Sequence, residues 1–377
     1  MLSQNKLKKV LLGAFSAIVL YFPQFAFNTL APIMIFAMIS NPEEGMLVFY
    51  ACTFGIGLLS SGLSNTTHYL VQKGYDKLGL FNFAGVYALV RLIAVAAIVC
   101  SDFNFTFLEV HYSTEFIVLL ILGSLPSWAF LYVIGMNKRP ALLAWAESLA
   151  KLIVLYYCLE HNLPIWYILL VPAIINLVLS LIYMFKVSWL TQHIYVQFFK
   201  SHFAFISNGA LFSIAWLIFM SSILNNQTLN SAVVVALERV LRILERFSAV
   251  LTTLIFRKSQ KSLGKNATSI VLSVNKKVLP YFVILSLVLI TFVQPVYAIF
   301  IISLMNVFWG QLLQQLIRPN RLYNFGGVIQ ALLLIIPFYL FELPENVLYS
   351  AFLLGCILNF LIRRQSLMLG QKSNEAT

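Results

Sequence analysis

The stretch Ser231 to Phe256, SAVVVALERVLRILERFSAVLTTLIF, limits what this chain can fold into more than any other. It is long enough to cross a bilayer as a helix. Yet Glu238, Arg239, Arg242, Glu245 and Arg246 interrupt its apolar run. With Arg239 at the origin of a helical projection, Arg246 falls at about −20°, Arg242 at about −60°, Glu238 at about −100° and Glu245 at about −120°. All five charges share one face, and Val233, Leu237, Val240, Leu244, Phe247 and Leu251 occupy the other. A charge at the bilayer centre costs about 2.5–3.5 kcal/mol even on insertion scales. The charged face must therefore turn toward protein or a wet cavity. One reading is an internal ion-pair stripe, with Glu238 and Arg242 at i,i+4 and each glutamate beside an arginine. It neutralises two of the three arginines. The other reading uses the positive charge left over, on a cavity wall that holds an anion.

Composition puts the rest of the chain in the same solvent. It is 60% hydrophobic and 10% charged, with 32 Phe and a mean hydropathy of +0.88, and apolar runs of about 20 residues recur along it. The net charge of +12 would suggest nucleic acid in a soluble protein. Here the positive-inside rule explains it better. We read about twelve spans; among them are 46–72, 116–136, 141–159, 203–224 and 231–256. Lys6, Lys8, Lys9, Lys73, Lys77, Lys138, Arg139, Arg318, Arg321, Arg363 and Arg364 fall in predicted inner segments. Glu43, Glu44, Asp102, Glu109, Glu115, Glu160, Glu342 and Glu345 fall in predicted outer loops. This alternation predicts both termini in the cytoplasm and a chain break at Gln294–Pro295, since an odd number of spans would place Arg363 and Arg364 outside. The first apolar run, Val10 to Ser40, is too long for a signal-peptide core.

The expected architecture is an all-α polytopic membrane protein of about twelve transmembrane helices, in two six-helix lobes around a central cavity. The N-terminal lobe is residues 1–187 and the C-terminal lobe 203–377, with a short cytoplasmic tail. Between them, 188–202 is an aromatic, amphipathic cytoplasmic linker suited to the membrane surface. The basic stretch Arg257 to Lys277 suits anionic lipid headgroups rather than nucleic acid. Cys52, Cys100, Cys158 and Cys356 are scattered without metal-ligand spacing, so free thiols and no metal site are expected.

Other charges lie inside spans of the first half. Arg91 sits mid-span, and Glu147 and Lys151 lie one turn apart and can pair. If the halves face each other, Arg91, Lys151, Arg239 and Arg242, with Arg246 on the same face, line one cationic cavity suited to a phosphate or another anion. The plainer alternative makes Glu147–Lys151 a self-contained pair and has Arg91 bond main-chain carbonyls. Gln24, Asn28 and Thr29 lie between Pro23 and Pro32 in a span expected to bend. Asn208, Gln311, Gln314 and Gln315 suit sugar hydroxyls or neighbouring helices. P-loop, G-x-S-x-G and H-E-x-x-H patterns are missing, so no catalytic residue, cofactor or enzyme activity is assigned. The place of Glu43 and Glu44 in the first outer loop is similar to that of the catalytic acid in membrane glycosyltransferases that use polyprenyl donors, but their short loop leaves little room for an active site. In such an enzyme, substituting these two glutamates would abolish activity.

The layout of spans, the block FAFISNGALFSIAWLIFMSSILNNQTLNSAVVVALERVLRILERF, and the segment FGIGLLSSGLSN after the loop at Asn41–Gly45 resemble the polysaccharide flippases of the multidrug/oligosaccharidyl-lipid/polysaccharide exporter superfamily. The small residue before an arginine in Ala236-Leu237-Glu238-Arg239 is similar to that family's eighth span. At 377 residues the chain is shorter than is usual there. The resemblance implies flipping of an undecaprenyl-pyrophosphate-linked oligosaccharide across a bacterial inner membrane by alternating access, driven by an ion gradient. It implies membrane lipids and other polysaccharide-assembly proteins as partners. Arg91, Lys151, Arg239, Arg242 and Arg246 would bind the substrate, and Glu147, Glu238 and Glu245 would hold them or carry a coupling proton. The alternatives are a drug exporter of the same superfamily and a membrane glycosyltransferase or O-antigen polymerase.

Overall fold

The structure, a computed structural model, describes residues 22–60, 63, 77–127, 140–185, 210–225, 230–242, 280, 284, 288, 296–300, 302–303, 321–340 and 344–375. Glu245, Arg246, the expected linker 188–202, the basic stretch after Arg257 and the expected break at Gln294–Pro295 lie outside these residues. The chain forms two compact units, one of Ala26–Leu229 and one of Met1–Phe25 with Asn230–Thr377.

In the first unit, α1 (Phe22–Met38) is followed by α2 (Pro42–Leu59). Pro42 fits the first turn of α2, where its missing N–H is no loss. Glu43 and Glu44 in that turn complement the helix dipole, and Asn41 Nδ2 donates to the Glu44 carboxylate at 3.2 Å. Met46, Leu47, Phe49, Tyr50 and Ala51 are buried in the unit's core. Of the helix expected over 46–72, α2 covers the part to Leu59, Leu63 is again helical, and residues 61–62 and 64–72 lie outside the described residues. Ser60 caps α2, its Oγ donating back to the Ile56 carbonyl at 2.6 Å, the local competition that serine offers a helix ladder.

The long helix α3 (Lys77–Ser101) leads into a feature not expected from sequence. The segment read as an outer loop folds as an antiparallel hairpin, β1 (Phe105–Phe107) on β2 (Val110–Tyr112), with Phe105 opposite Tyr112 and Phe107 opposite Val110. Its two turn residues, Leu108 and Glu109, have φ of 50° and 65°, the left-handed pair that a two-residue hairpin turn requires. Thr114 Oγ1 donates to Asp102 Oδ1 at 2.8 Å and to the Phe103 carbonyl at 3.1 Å, closing the base of the hairpin.

Next, α4 (Thr114–Gly123) is capped by Ser113, whose Oγ accepts from the Phe116 amide at 3.3 Å. It ends at Gly123, inside the expected span 116–136, of which 128–136 lie outside the described residues. Leu125 precedes Pro126, which disfavours helical geometry there. The unit continues with α5 (Pro140–Glu160), a 3-10 turn at Ile165–Leu169, α6 (Leu170–Phe185) and α7 (Ala210–Leu224). Among the described residues three helical segments are long and apolar enough to cross a membrane: Asn82–Ser101, Leu142–Glu160 and Ile165–Ile182.

The second unit contains α8 (231–242), α9 (Arg321–Leu340) and α10 (Glu345–Glu375). The pair α9–α10 packs antiparallel at backbone distance. A Cβ on Gly355 would lie 3.0 Å from the Gln330 Cα and carbonyl oxygen, and one on Gly326 would lie 2.7 Å from Asn359 Oδ1. Small residues permit this approach, which helices in lipid use in place of a hydrophobic driving force. Buried amides tie the crossing. Asn359 Nδ2 donates to Gln330 Oε1, Gln330 Nε2 donates to Cys356 Sγ at 3.1 Å, and Ser303 Oγ lies 3.7 Å from the same sulfur. All four cysteines are free thiols.

Candidate functional site: buried charges and interrupted helices

The apolar stretches of this chain force each charge inside them to find a partner, and the structure provides one in three places. The first is Arg91. It lies ten residues from the C-terminal end of α3, about 15 Å along the helix and so about half the thickness of a hydrocarbon core. Its Nη2 donates to the main-chain carbonyl of Leu59, the last residue of α2, and to Tyr87 Oη at 2.8 Å. Tyr87 Oη in turn donates to the same carbonyl at 2.9 Å. The C-terminal carbonyls of a helix carry partial negative charge and lack partners within it. A guanidinium and a phenol from the neighbouring helix meet both needs. This is the carbonyl-bonding alternative read from the sequence. Tyr87 was missed there, although it stands one turn before Arg91 on the same face.

A second interrupted helix lies alongside. The α4 carbonyl at Gly123 accepts from Asn176 Nδ2 of α6 at 2.8 Å. A Cβ on Gly123 would meet Ile56 Cδ1 of α2 at 3.4 Å, so the two helix ends are neighbours. Asn176 Oδ1 and Ser180 Oγ, one turn apart and at most 3% exposed, have no hydrogen-bond partner among the described residues. Helices broken at depth in a membrane protein occur where freed backbone groups are re-satisfied by neighbours or line a cavity.

The third element of this unit is the pair expected on α5. Lys151 Nζ donates to Glu147 Oε1, with the carboxylate buried. The ammonium also sits 5.8 Å from the ring centre of Phe27 on α1, within reach of a cation–π attraction.

In the second unit the charged face of α8 turns inward as its composition requires. Val233 and Val240 are exposed, whereas Glu238 is 1% exposed and Arg239 7%. Glu238 receives both arginines: Arg239 Nε is 2.9 Å from Oε2, and Arg242 Nε donates to Oε1 at 2.8 Å. Among the described residues, one carboxylate thus stands between two guanidiniums. The expected i,i+4 bridge is present, and Glu238 serves two partners instead of one.

At the end of the first unit where expected outer loops meet, the starts of α2 and β2 and the turn before the 3-10 segment enclose a cleft of about 580 Å³. Trp166 forms part of its wall and closes a column of nearly parallel rings. Phe105 and Tyr112 stack at 4.7 Å and 4°, Tyr112 and Phe116 at 5.0 Å and 5°, and Phe116 and Trp166 at 5.6 Å and 11°. Burial pushes the Tyr112 phenol well above its usual pKa, so it remains a neutral member of the stack.

No protein-family model matches the sequence, and no curated protein matches it. Solved structures match over almost its whole length. An outward-facing multidrug resistance transporter of the MATE family in the MOP superfamily is 14% identical, with a TM-score of 0.59, covering 98% of this chain and 96% of that one. A MOP superfamily transporter from Pyrococcus furiosus, whose binding pocket is described as reversed in polarity, is 13% identical with a TM-score of 0.58, covering 97% and 95%. An inward-facing MATE-family transporter is 15% identical with a TM-score of 0.54, covering 96% and 98%. The chain shares their fold, a polytopic helical membrane fold of two lobes.

Proposed function

We propose that this protein is a transporter that moves a lipid-linked glycan, a polyprenyl-pyrophosphate oligosaccharide, between the leaflets of a bacterial inner membrane, with both termini cytoplasmic. The observation that carries the sign of the substrate is the inward-turned face of α8, where Glu238 is shared between Arg239 and Arg242 in a sequence that sets three arginines against two glutamates. A pyrophosphate leaving water needs charge-assisted, preferably bidentate donors, which guanidinium supplies. Arg239, Arg242 and Arg246 are assigned to this role together with Arg91 and Lys151. Arg91 spends part of a five-donor fork on Leu59 and Tyr87, and Lys151 is already paired with Glu147. Glu147, Glu238 and Glu245 position these cations or carry a coupling proton. Alternating access is supported by a fold shared with transporters solved facing outward and facing inward.

Export of organic cations is the second reading, favoured by the multidrug transporters among the fold's neighbours. It predicts that acidic groups carry the site. Reconstituted protein tested on both substrates separates the two. The glycan reading expects accelerated leaflet exchange of a labelled polyprenyl-pyrophosphate disaccharide and no ethidium transport. Ethidium transport without lipid exchange would reverse the assignment.

A further inference from the structure

The cleft walled by Trp166 lies outside the buried charges assigned above, and its chemistry differs from theirs. Its edge carries Glu43, Glu44, Glu109, His111 and Asn225. We propose that it binds the sugar end of a glycan, an uncharged or amino-substituted hexose unit. This deepens the lipid-linked glycan reading and rests on it for the identity of the substrate.

Size is the first argument. About 580 Å³ falls within the range of small-ligand sites and holds one or two sugar rings. Rigidity is the second. Trp166 is backed by Phe116, Tyr112 and Phe105 in successive near-parallel stacks, so binding need not immobilise it. The negative face of such a ring accepts the weakly positive C–H face of a pyranose. The third argument is the mixture of polar groups. Carboxylate oxygens accept from neighbouring hydroxyls, while the amide of Asn225 both donates and accepts.

Backbone geometry adds a fourth argument. Glu109 holds φ of 65° at the hairpin turn, a left-handed conformation unfavourable for a residue with a side chain. The hairpin turn requires that conformation, and it places a carboxylate on the cleft.

Charge also excludes occupants. Three carboxylates against one histidine repel phosphate and uronic acids, so the pyrophosphate end of a substrate does not belong here. Among the described residues no three His, Cys, Asp or Glu side chains converge as metal ligands. An organic cation is better held by several aromatic faces, and among the described residues lining the cleft Trp166 is the one Phe, Tyr or Trp.

The test uses the full chain in lipid nanodiscs and saturation-transfer NMR with N,N′-diacetylchitobiose, maltose, galacturonic acid and tetraethylammonium as probes. Expected is saturable binding of one or both neutral disaccharides, weakened about fivefold by Glu109→Gln through loss of one hydrogen bond and more by Trp166→Ala. Glu109→Gln changes an exposed turn residue, so the test survives even if Trp166→Ala fails to fold. Absence of disaccharide binding, binding unchanged in Glu109→Gln, or preference for tetraethylammonium or galacturonic acid overturns the proposal. Lipid exchange measured on the same preparations keeps the two readings apart. Exchange without disaccharide binding removes the cleft alone, whereas disaccharide binding without exchange removes translocation and leaves the cleft as a sugar site.

Discussion

The Arg91 guanidinium donates to the main-chain carbonyl of Leu59, a contact that ties the middle of α3 to the end of α2. The end of a helix leaves carbonyls without partners inside it, and here a cation from α3 takes the one at Leu59. Arg91→Ala is therefore expected to lower stability by about 1.5–3 kcal/mol, the range for a bond to a charged group. Tyr87→Phe, which removes a neutral donor, should cost about 0.5–1.5 kcal/mol. Thermal unfolding in detergent measures both. Hydrogen exchange should rise at the end of α2 in Arg91→Ala, and unchanged exchange there would refute the capping role.

Glu238 carries two arginines, which makes the three residues unequal under mutation. Glu238→Gln leaves two buried cations without their shared carboxylate and should destabilise by about 3–5 kcal/mol. Arg242→Gln leaves the Arg239 pair intact and should cost less. The double variant Glu238→Gln/Arg242→Gln is expected to recover part of the loss, a coupling that a double-mutant cycle reads directly.

The α9–α10 crossing depends on the absence of two side chains. Gly355→Ala places a methyl 3.0 Å from the Gln330 backbone, which cannot swing away as a side-chain end would. The expected cost is about 1–3 kcal/mol from overpacking. Gly326→Ala should act similarly against Asn359. A Tm equal to that of the parent in both variants would contradict the packing described.

Asn176 holds the broken end of α4. Asn176→Leu removes the donor to the Gly123 carbonyl and is expected to cost about 1–3 kcal/mol, the penalty for leaving a buried acceptor unmet. Exchange of amides near residues 120–125 should quicken, while that of α9 and α10 should stay as in the parent.

Much of this was legible in the sequence because membrane chains obey few rules strictly. The inward face of α8, the Glu147–Lys151 bridge and the Glu238–Arg242 bridge follow from helical spacing and the cost of a bare charge in lipid. Arg91 was visible as a buried cation, but its partner was not. A main-chain carbonyl becomes an acceptor only where a helix ends, and the end of α2 is marked by nothing stronger than Ser60. The early stop of α4 had a signal, Leu125 before Pro126, which an apolar count over 116–136 hides. The hairpin was hidden for another reason. Its strands are three residues each, and its turn uses Leu108 and Glu109 where Asn-Gly would have announced it. The shared Glu238 lay within reach of the sequence, since adjacent and i+4 arginines both flank it.

Arg239 and Arg242, each changed to Ala and to Lys, give the most direct test of the cationic site. The variants would be reconstituted and followed for leaflet exchange of a labelled polyprenyl-pyrophosphate disaccharide, with folding checked by Tm. If the arginines bind pyrophosphate, both Ala variants lose exchange while remaining folded, and the Lys variants retain a fraction of it because charge survives without the bidentate fork. Folded Ala variants that exchange the lipid at the parental rate would make these arginines structural and remove the anion-binding site from the account.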